Sequence, residues 1–208
     1  EHDDDLYACA QSRRQGGAKP FGLSLIVDVK QNLPRPAPVR LFFALWPGAA
    51  ASVMLAKAGE RLHGVCGGRR TRAETIHLTL AFLGEVAPER IGDLLALAGE
   101  IRAPAFGLKL VRAGWWPHSR IVWAAPDETP AELVLLVDAL RRGLLGAGFR
   151  FDAKSFAPHV TLLRKANCRE NPFLAGEIEW YAEDFVLVRS VLGGGGAAYE
   201  EVGRWPLL

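Results

Sequence analysis

Charge of one sign, cysteine and long apolar runs are all scarce in this sequence, and each shortage removes a class of protein. Across 208 residues, 25 Lys and Arg stand against 23 Asp and Glu, a formal net charge of +2. That is too mild for non-specific nucleic-acid binding and leaves only local basic groups to weigh. No apolar run is long enough to span a bilayer, so no membrane association is expected. The three cysteines, Cys9, Cys66 and Cys168, are odd in number and widely spaced. They make no CxxC pair and are expected to form no disulfide framework, which points to a reducing, cytoplasmic setting. The Cys and His spacing of a zinc site is missing, and no carboxylate cluster offers a Mg²⁺ site. The expectation is therefore of no metal and no cofactor.

What is plentiful is core material, since half of the residues are hydrophobic. Residues 1–38 stand apart as a polar, breaker-rich leader: Asp3-Asp4-Asp5, Gly16-Gly17, then Pro34, Pro36 and Pro38, with one apolar island at 21–27. The domain proper is expected over 39–208. Its first strand is Leu41-Phe42-Phe43-Ala44-Leu45, followed by an Ala-rich helix over 49–63 that the glycines at 64, 67 and 68 break. A strand over 75–83 stops at Gly84. Ile91, Leu94, Leu95, Ala98 and Ile101 form a helical stripe behind Pro88, and Leu133, Leu136, Val137, Leu140 and Leu144 form another behind Pro130. Strands are expected at 106–111, 121–123, around 159–163, 185–192 and 199–205, with 165–180 a polar stretch. Strict βαβ alternation fails, which disfavours a doubly wound parallel sheet. The fold class expected is α+β, two similar lobes with largely antiparallel sheets and helices on the outer faces.

Within that pattern one tetrapeptide occurs twice, His77-Leu78-Thr79-Leu80 and His159-Val160-Thr161-Leu162. On a strand, side chains alternate faces, so each copy presents His and Thr on one side and buries the residue between them. Two imidazoles and two hydroxyls suit the handling of a phosphate. The other histidines have simpler readings: His2 lies in the leader, His63 at a helix end, and His118 in a turn. Arg69, Arg70 and Arg72 precede the first copy, and Lys165 and Arg169 follow the second. These could steer a polyanion or merely solvate loops. Phe43, Trp115 and Trp116 could stack a base or fill the core.

The paired His-x-Thr-Leu segments, about eighty residues apart, resemble the 2H phosphoesterase superfamily. Within it the chain is similar to the RNA 2′,3′-cyclic phosphodiesterases, also called 2′-5′ RNA ligases. The likeness extends through Arg40–Leu45, Thr75–Gly84, Trp116–Trp123, Phe156–Arg164 and Ser190–Leu207. It implies a bilobal domain with the site in the cleft between lobes, and a monomer. The implied substrate is RNA or an oligonucleotide ending in a 2′,3′-cyclic phosphate, opened by water to a 2′-phosphate without a metal. His77 would be the proton donor and His159 the acceptor, while Thr79, Thr161 and Arg164 would bind the phosphate. Alternatives are 2′-5′-linked RNA or small cyclic nucleotides as substrates, reversible ligation, or a non-catalytic binder of phosphorylated RNA ends.

Overall fold

The computed structural model describes residues 36–193 and 196–208. The leader expected over 1–38, with its apolar island at 21–27, lies outside the described residues except for 36–38. Every strand pairing described is antiparallel, and all nine strands join one curled sheet. Its path runs through β7 (Ile178–Ala182), β4 (Phe106–Trp116), β5 (Ile121–Pro126), β6 (Val160–Arg164), β3 (Leu78–Val86), β1 (Val39–Leu45), β8 (Asp184–Gly193) and β9 (Gly196–Pro206). A two-residue strand, β2 (Arg69–Arg70), pairs with β6 off that path. Among the described residues three α-helices accompany the sheet: α1 (Ala49–Cys66), α2 (Ile91–Gly99) and α3 (Ala131–Gly146). The α+β class with antiparallel pairing is as expected.

Alternation along β1 explains how one sheet serves two purposes. Leu41, Phe43 and Leu45 join the main core with the buried residues of all three helices. Phe42 and Ala44 point the other way, into a smaller cluster with Val186, Val188, Trp46, Phe82 and Tyr199. A strand buried on both faces reads as a continuous apolar run. The five positions expected to line α3 are all buried. In α1, Ala51, Leu55, Gly59, Leu62 and Cys66 recur at helical spacing, and a Cβ at Gly59 would lie 3.6 Å from the Leu162 carbonyl. So α1 backs the strand that carries the second tetrapeptide.

Several expectations need correction. Helix α1 runs through Gly64 to Cys66 and stops only at Gly67, whose φ of 59° is left-handed. Residues 73–75 form a 3₁₀ turn, so β3 starts at Leu78 rather than at 75. It also continues past Gly84, which sits at a bulge with φ of 72° instead of ending the strand. The polar stretch at 165–180 ends in β7, where Ile178, Trp180 and Ala182 are buried and Glu179 and Tyr181 are not. Its period-two pattern was masked by the flanking glutamates. The largest correction concerns cysteine: Cys66 and Cys168, 102 residues apart, form a disulfide. Their wide separation in sequence carried no information about distance in space, because α1 packs on β6.

The disulfide closes a long loop, for which chain entropy gives a stabilisation of up to about 4–5 kcal/mol. Reduction is expected to lower the urea midpoint of the oxidised protein, and Cys168→Ala to remove that sensitivity. An oxidised protein whose midpoint ignores reductant would show that the bridge does not restrain the chain.

Candidate active site

The two halves of the sheet meet at a single residue pair. Leu78 of β3 lies opposite Val160 of β6, and no other pair joins these strands. Both side chains are 0% exposed, inside the main core. Their neighbours in each chain must therefore point to the opposite face. Antiparallel geometry then sets His77 across from Thr161 and His159 across from Thr79. The four residues singled out in the repeated tetrapeptide thus surround one point.

Each imidazole is held in the same way. Nδ1 of His77 donates to the Thr75 carbonyl at 2.7 Å, and Nδ1 of His159 donates to the Ala157 carbonyl at 2.8 Å. A carbonyl can only accept, so the proton of each neutral ring sits on Nδ1 and Nε2 carries the free lone pair. Burial is the main reason that both rings resist charging. It pushes His77 down to about 4, helped by the positive charges of Arg164 and His159 and opposed by the Thr75 bond. His159 is lowered by burial first, against its Ala157 bond, with Arg164 again adding to the effect.

Aromatic rings form the walls. Trp46 stacks on His77 at 5.2 Å and 14°, Phe42 lies at 4.9 Å, and Tyr199 meets the ring edge-on at 5.2 Å. Trp116 meets His159 at 4.6 Å. Of the rings expected to stack a base, Phe43 and Trp115 pack with the main core, and only Trp116 reaches a histidine. The residues that sequence reasoning missed are Phe42, Trp46 and Tyr199. Phe42 and Trp46 were findable, since Phe42 lies within β1 and Trp46 directly follows it in the same alternation. Tyr199 was not, because its place depends on the Ser190 to Tyr199 register of the β8–β9 hairpin.

Arg164 reaches the site through a bulge. It lies three positions beyond Thr161, which in a regular strand would put the two on opposite faces. Trp123 and Val122 of β5 pair with Thr161 and Leu163, so Leu162 is an extra residue. Leu162 and Leu163 both turn into the core, and Arg164 returns to the face of Thr161. The first repeat has the same irregularity: Ala44 pairs with Thr79 and Phe43 with Ala81. There Phe82 takes the position of Arg164, with the Arg40 guanidinium over its ring at 4.8 Å. The other cations named from sequence divide. Arg70 pairs with Glu60 at 3.0 Å and Arg72 with Glu74 at 3.2 Å, while Arg69 lies opposite Arg164 across the β2–β6 pair. Among the described residues, no group of three or more His, Cys, Asp and Glu side chains converges as a metal site.

The repeat in the structure is matched by a repeat in the comparison with known families. The model for LigT like phosphoesterases matches residues 49–123 and again 124–198. The chain belongs to the LigT-like phosphoesterase family. One match holds His77 and Thr79 and the other His159 and Thr161, so each LigT-like half supplies one tetrapeptide. The chain is 40% identical over 141 residues to the RNA 2′,3′-cyclic phosphodiesterase of Escherichia coli strain K12, covering 67% of this chain and 80% of that relative. It is 34% identical over 181 residues to the Thermus thermophilus protein of the same name, covering 81% and 90%. Among solved structures, E. coli LigT complexed with 3′-AMP superposes with a TM-score of 0.76 at 36% identity, covering 82% of this chain and 98% of that one. The LigT-like fold is thereby shared across nearly all of those chains.

One glycine tests how tightly the wall at His159 is built. A Cβ at Gly114 would come within 2.1 Å of the Trp123 ring, and Trp123 in turn contacts Trp116 at 5.5 Å. Gly114→Ala is expected to cost about 1–3 kcal/mol through overpacking and to shift the tryptophan fluorescence. Unaltered stability together with an unaltered spectrum would show that the ring has room to move.

Proposed function

We propose that this protein hydrolyses RNA 2′,3′-cyclic phosphate ends to 2′-phosphomonoesters by general acid–base catalysis at His77 and His159. The observation that carries this reading is the single Leu78 to Val160 pair, which sets two His-Thr couples around one point. The relatives named RNA 2′,3′-cyclic phosphodiesterase support the substrate class. Action as a monomer in the cytoplasm accords with this substrate, although the Cys66–Cys168 bridge removes the cysteine argument for that compartment.

In the proposed reaction, water attacks phosphorus while His159 Nε2 takes its proton. The bond from phosphorus to the 3′ oxygen breaks, and His77 gives that oxygen a proton, leaving the phosphate on the 2′ oxygen. Each transfer contributes roughly 10²–10⁴-fold. Thr79 and Thr161 donate hydrogen bonds to the non-bridging oxygens, whose charge grows in the transition state. Arg164 adds a charge-assisted contact to the same phosphate. The acid role requires His77 charged in a site that favours its neutral form. An anionic phosphate bound between two imidazoles and Arg164 reverses that balance, because a nearby negative charge favours the cation.

His77→Ala and His159→Ala are each expected to abolish cyclic-phosphate opening, read as release of the 2′-phosphate, while thermal melting shows a folded protein. Full activity in either variant would reject the two-histidine mechanism. The pH dependence follows from the lowered values. The singly protonated pair exists between about 4 and a value below the ordinary 6.5 of His159. Below that window both rings are charged, and above it both are neutral. So kcat/KM should be bell-shaped with its maximum on the acid side of neutrality, and kcat should peak at higher pH because the bound phosphate raises both groups. The shape is the same whichever ring holds the proton. A kcat/KM flat from about pH 4 to 8 would sink the assignment.

A further inference from the structure

The ladder between β2 and β6 contains a feature that stability does not explain. Arg69 and Arg164 are cross-strand partners, and like charges directly opposite one another destabilise a sheet. Both side chains are exposed, and among the described residues neither has an acidic partner. The chain has carboxylates to hand in this region, because the neighbouring Arg70 and Arg72 take Glu60 and Glu74. The uncompensated pair is the one beside the candidate active site.

The backbone under this pair is built to hold it. Gly68 has a φ of 84°, and a Cβ there would lie 2.6 Å from the Arg164 carbonyl oxygen. Only glycine lets β2 press this closely on the end of β6. Just past Arg164, the chain at Lys165 adopts a left-handed φ of 57°. The Arg120 guanidinium donates to the Lys165 carbonyl at 3.1 Å and to the Ala166 carbonyl at 3.3 Å. The Asn167 N–H donates to the Cys66 carbonyl at 2.9 Å, and the Cys66–Cys168 bridge follows at once. Two cations therefore stand side by side on backbones pinned from both flanks, which reduces the ordering cost of a ligand.

We infer that Arg69 and Arg164 form a two-arginine clamp in which Arg69 binds the phosphodiester adjoining the cyclic end, so that the site selects polynucleotide ends over mononucleotides. This deepens the reading of the protein as a cyclic phosphodiesterase and rests on it. The direction along β6 supports the assignment. Thr161 sits at the proposed reaction centre, and the bulged span to Arg164, two ladder positions or roughly 7 Å, carries the chain outward to Arg164 and its partner. Arg164 stands close enough to lower both histidines, and Arg69 is one strand further out. A second phosphate held there would offset the repulsion between the arginines, which a mononucleotide with a single phosphate leaves partly in place.

The test compares Arg69→Gln with the unaltered protein on two substrates, an oligoribonucleotide ending in a 2′,3′-cyclic phosphate and a nucleoside 2′,3′-cyclic phosphate. The ratio of kcat/KM for the oligonucleotide to that for the mononucleotide is expected to fall about tenfold, as loss of one charge-assisted contact implies. The salt dependence for the oligonucleotide should become shallower by about 0.7 in the logarithmic slope, as for one single-strand phosphate contact. An unchanged ratio and slope would overturn the clamp. Equal losses on both substrates would also overturn it, placing Arg69 at the reacting phosphate or in the fold. Equilibrium binding of an oligoribonucleotide with a terminal 2′-phosphate, against a nucleoside 2′-phosphate, reads the same discrimination without turnover. If the unaltered protein opens neither substrate, the catalytic reading fails while this binding arm still decides the clamp.

Discussion

Leu78 and Val160 hold the two halves of this sheet together at one rung, and the geometry of the site hangs on that contact. Each side chain is fully buried, and burial of a residue of this size stabilises by about 1.5–3 kcal/mol. The energy serves position as much as stability. Because neighbours along a strand must face the other way, burying these two residues drives two imidazoles and two hydroxyls together onto the opposite face. A single rung also leaves β3 and β6 free to diverge on either side, which opens the space that a phosphate would enter. A full ladder would have filled it with backbone pairing.

The electrostatics of that space are arranged in advance of any ligand. Burial and Arg164 disfavour a charged imidazole at both histidines, so each neutral ring keeps its proton on Nδ1, against a backbone carbonyl. A phosphate entering there would meet positive potential from Arg164, and its own charge would favour one protonated imidazole beside one neutral one. The same desolvation that costs the free protein a cation strengthens each contact to a bound anion.

Support for this arrangement comes from behind the sheet. Helix α1 lies against β6 through Gly59, and its last residue is bonded to the segment just beyond Arg164. Gly68 and Arg120 grip the same segment from either side. The bulges at equivalent places in both repeats turn one further residue per repeat onto the site face, Phe82 in the first and Arg164 in the second. One half thereby ends in an aromatic surface and the other in a cation, so a site with nearly identical tetrapeptides becomes unsymmetrical.

By itself the sequence determined the α+β class, the apolar faces of α2 and α3, and the two His-x-Thr couples, because period and composition act locally and are written in neighbouring residues. It also carried the resemblance that named the family. Tertiary structure alone decided the rest. That Cys66 meets Cys168 across 102 residues follows from helix packing and left no trace in their spacing. That Arg164 shares a face with Thr161 follows from an extra residue at Leu162, which a strict alternation would have read the wrong way. That Arg69 stands opposite Arg164 follows from register between strands more than ninety residues apart. Pairing partners are chosen by the burial of the whole sheet, and no local pattern records them.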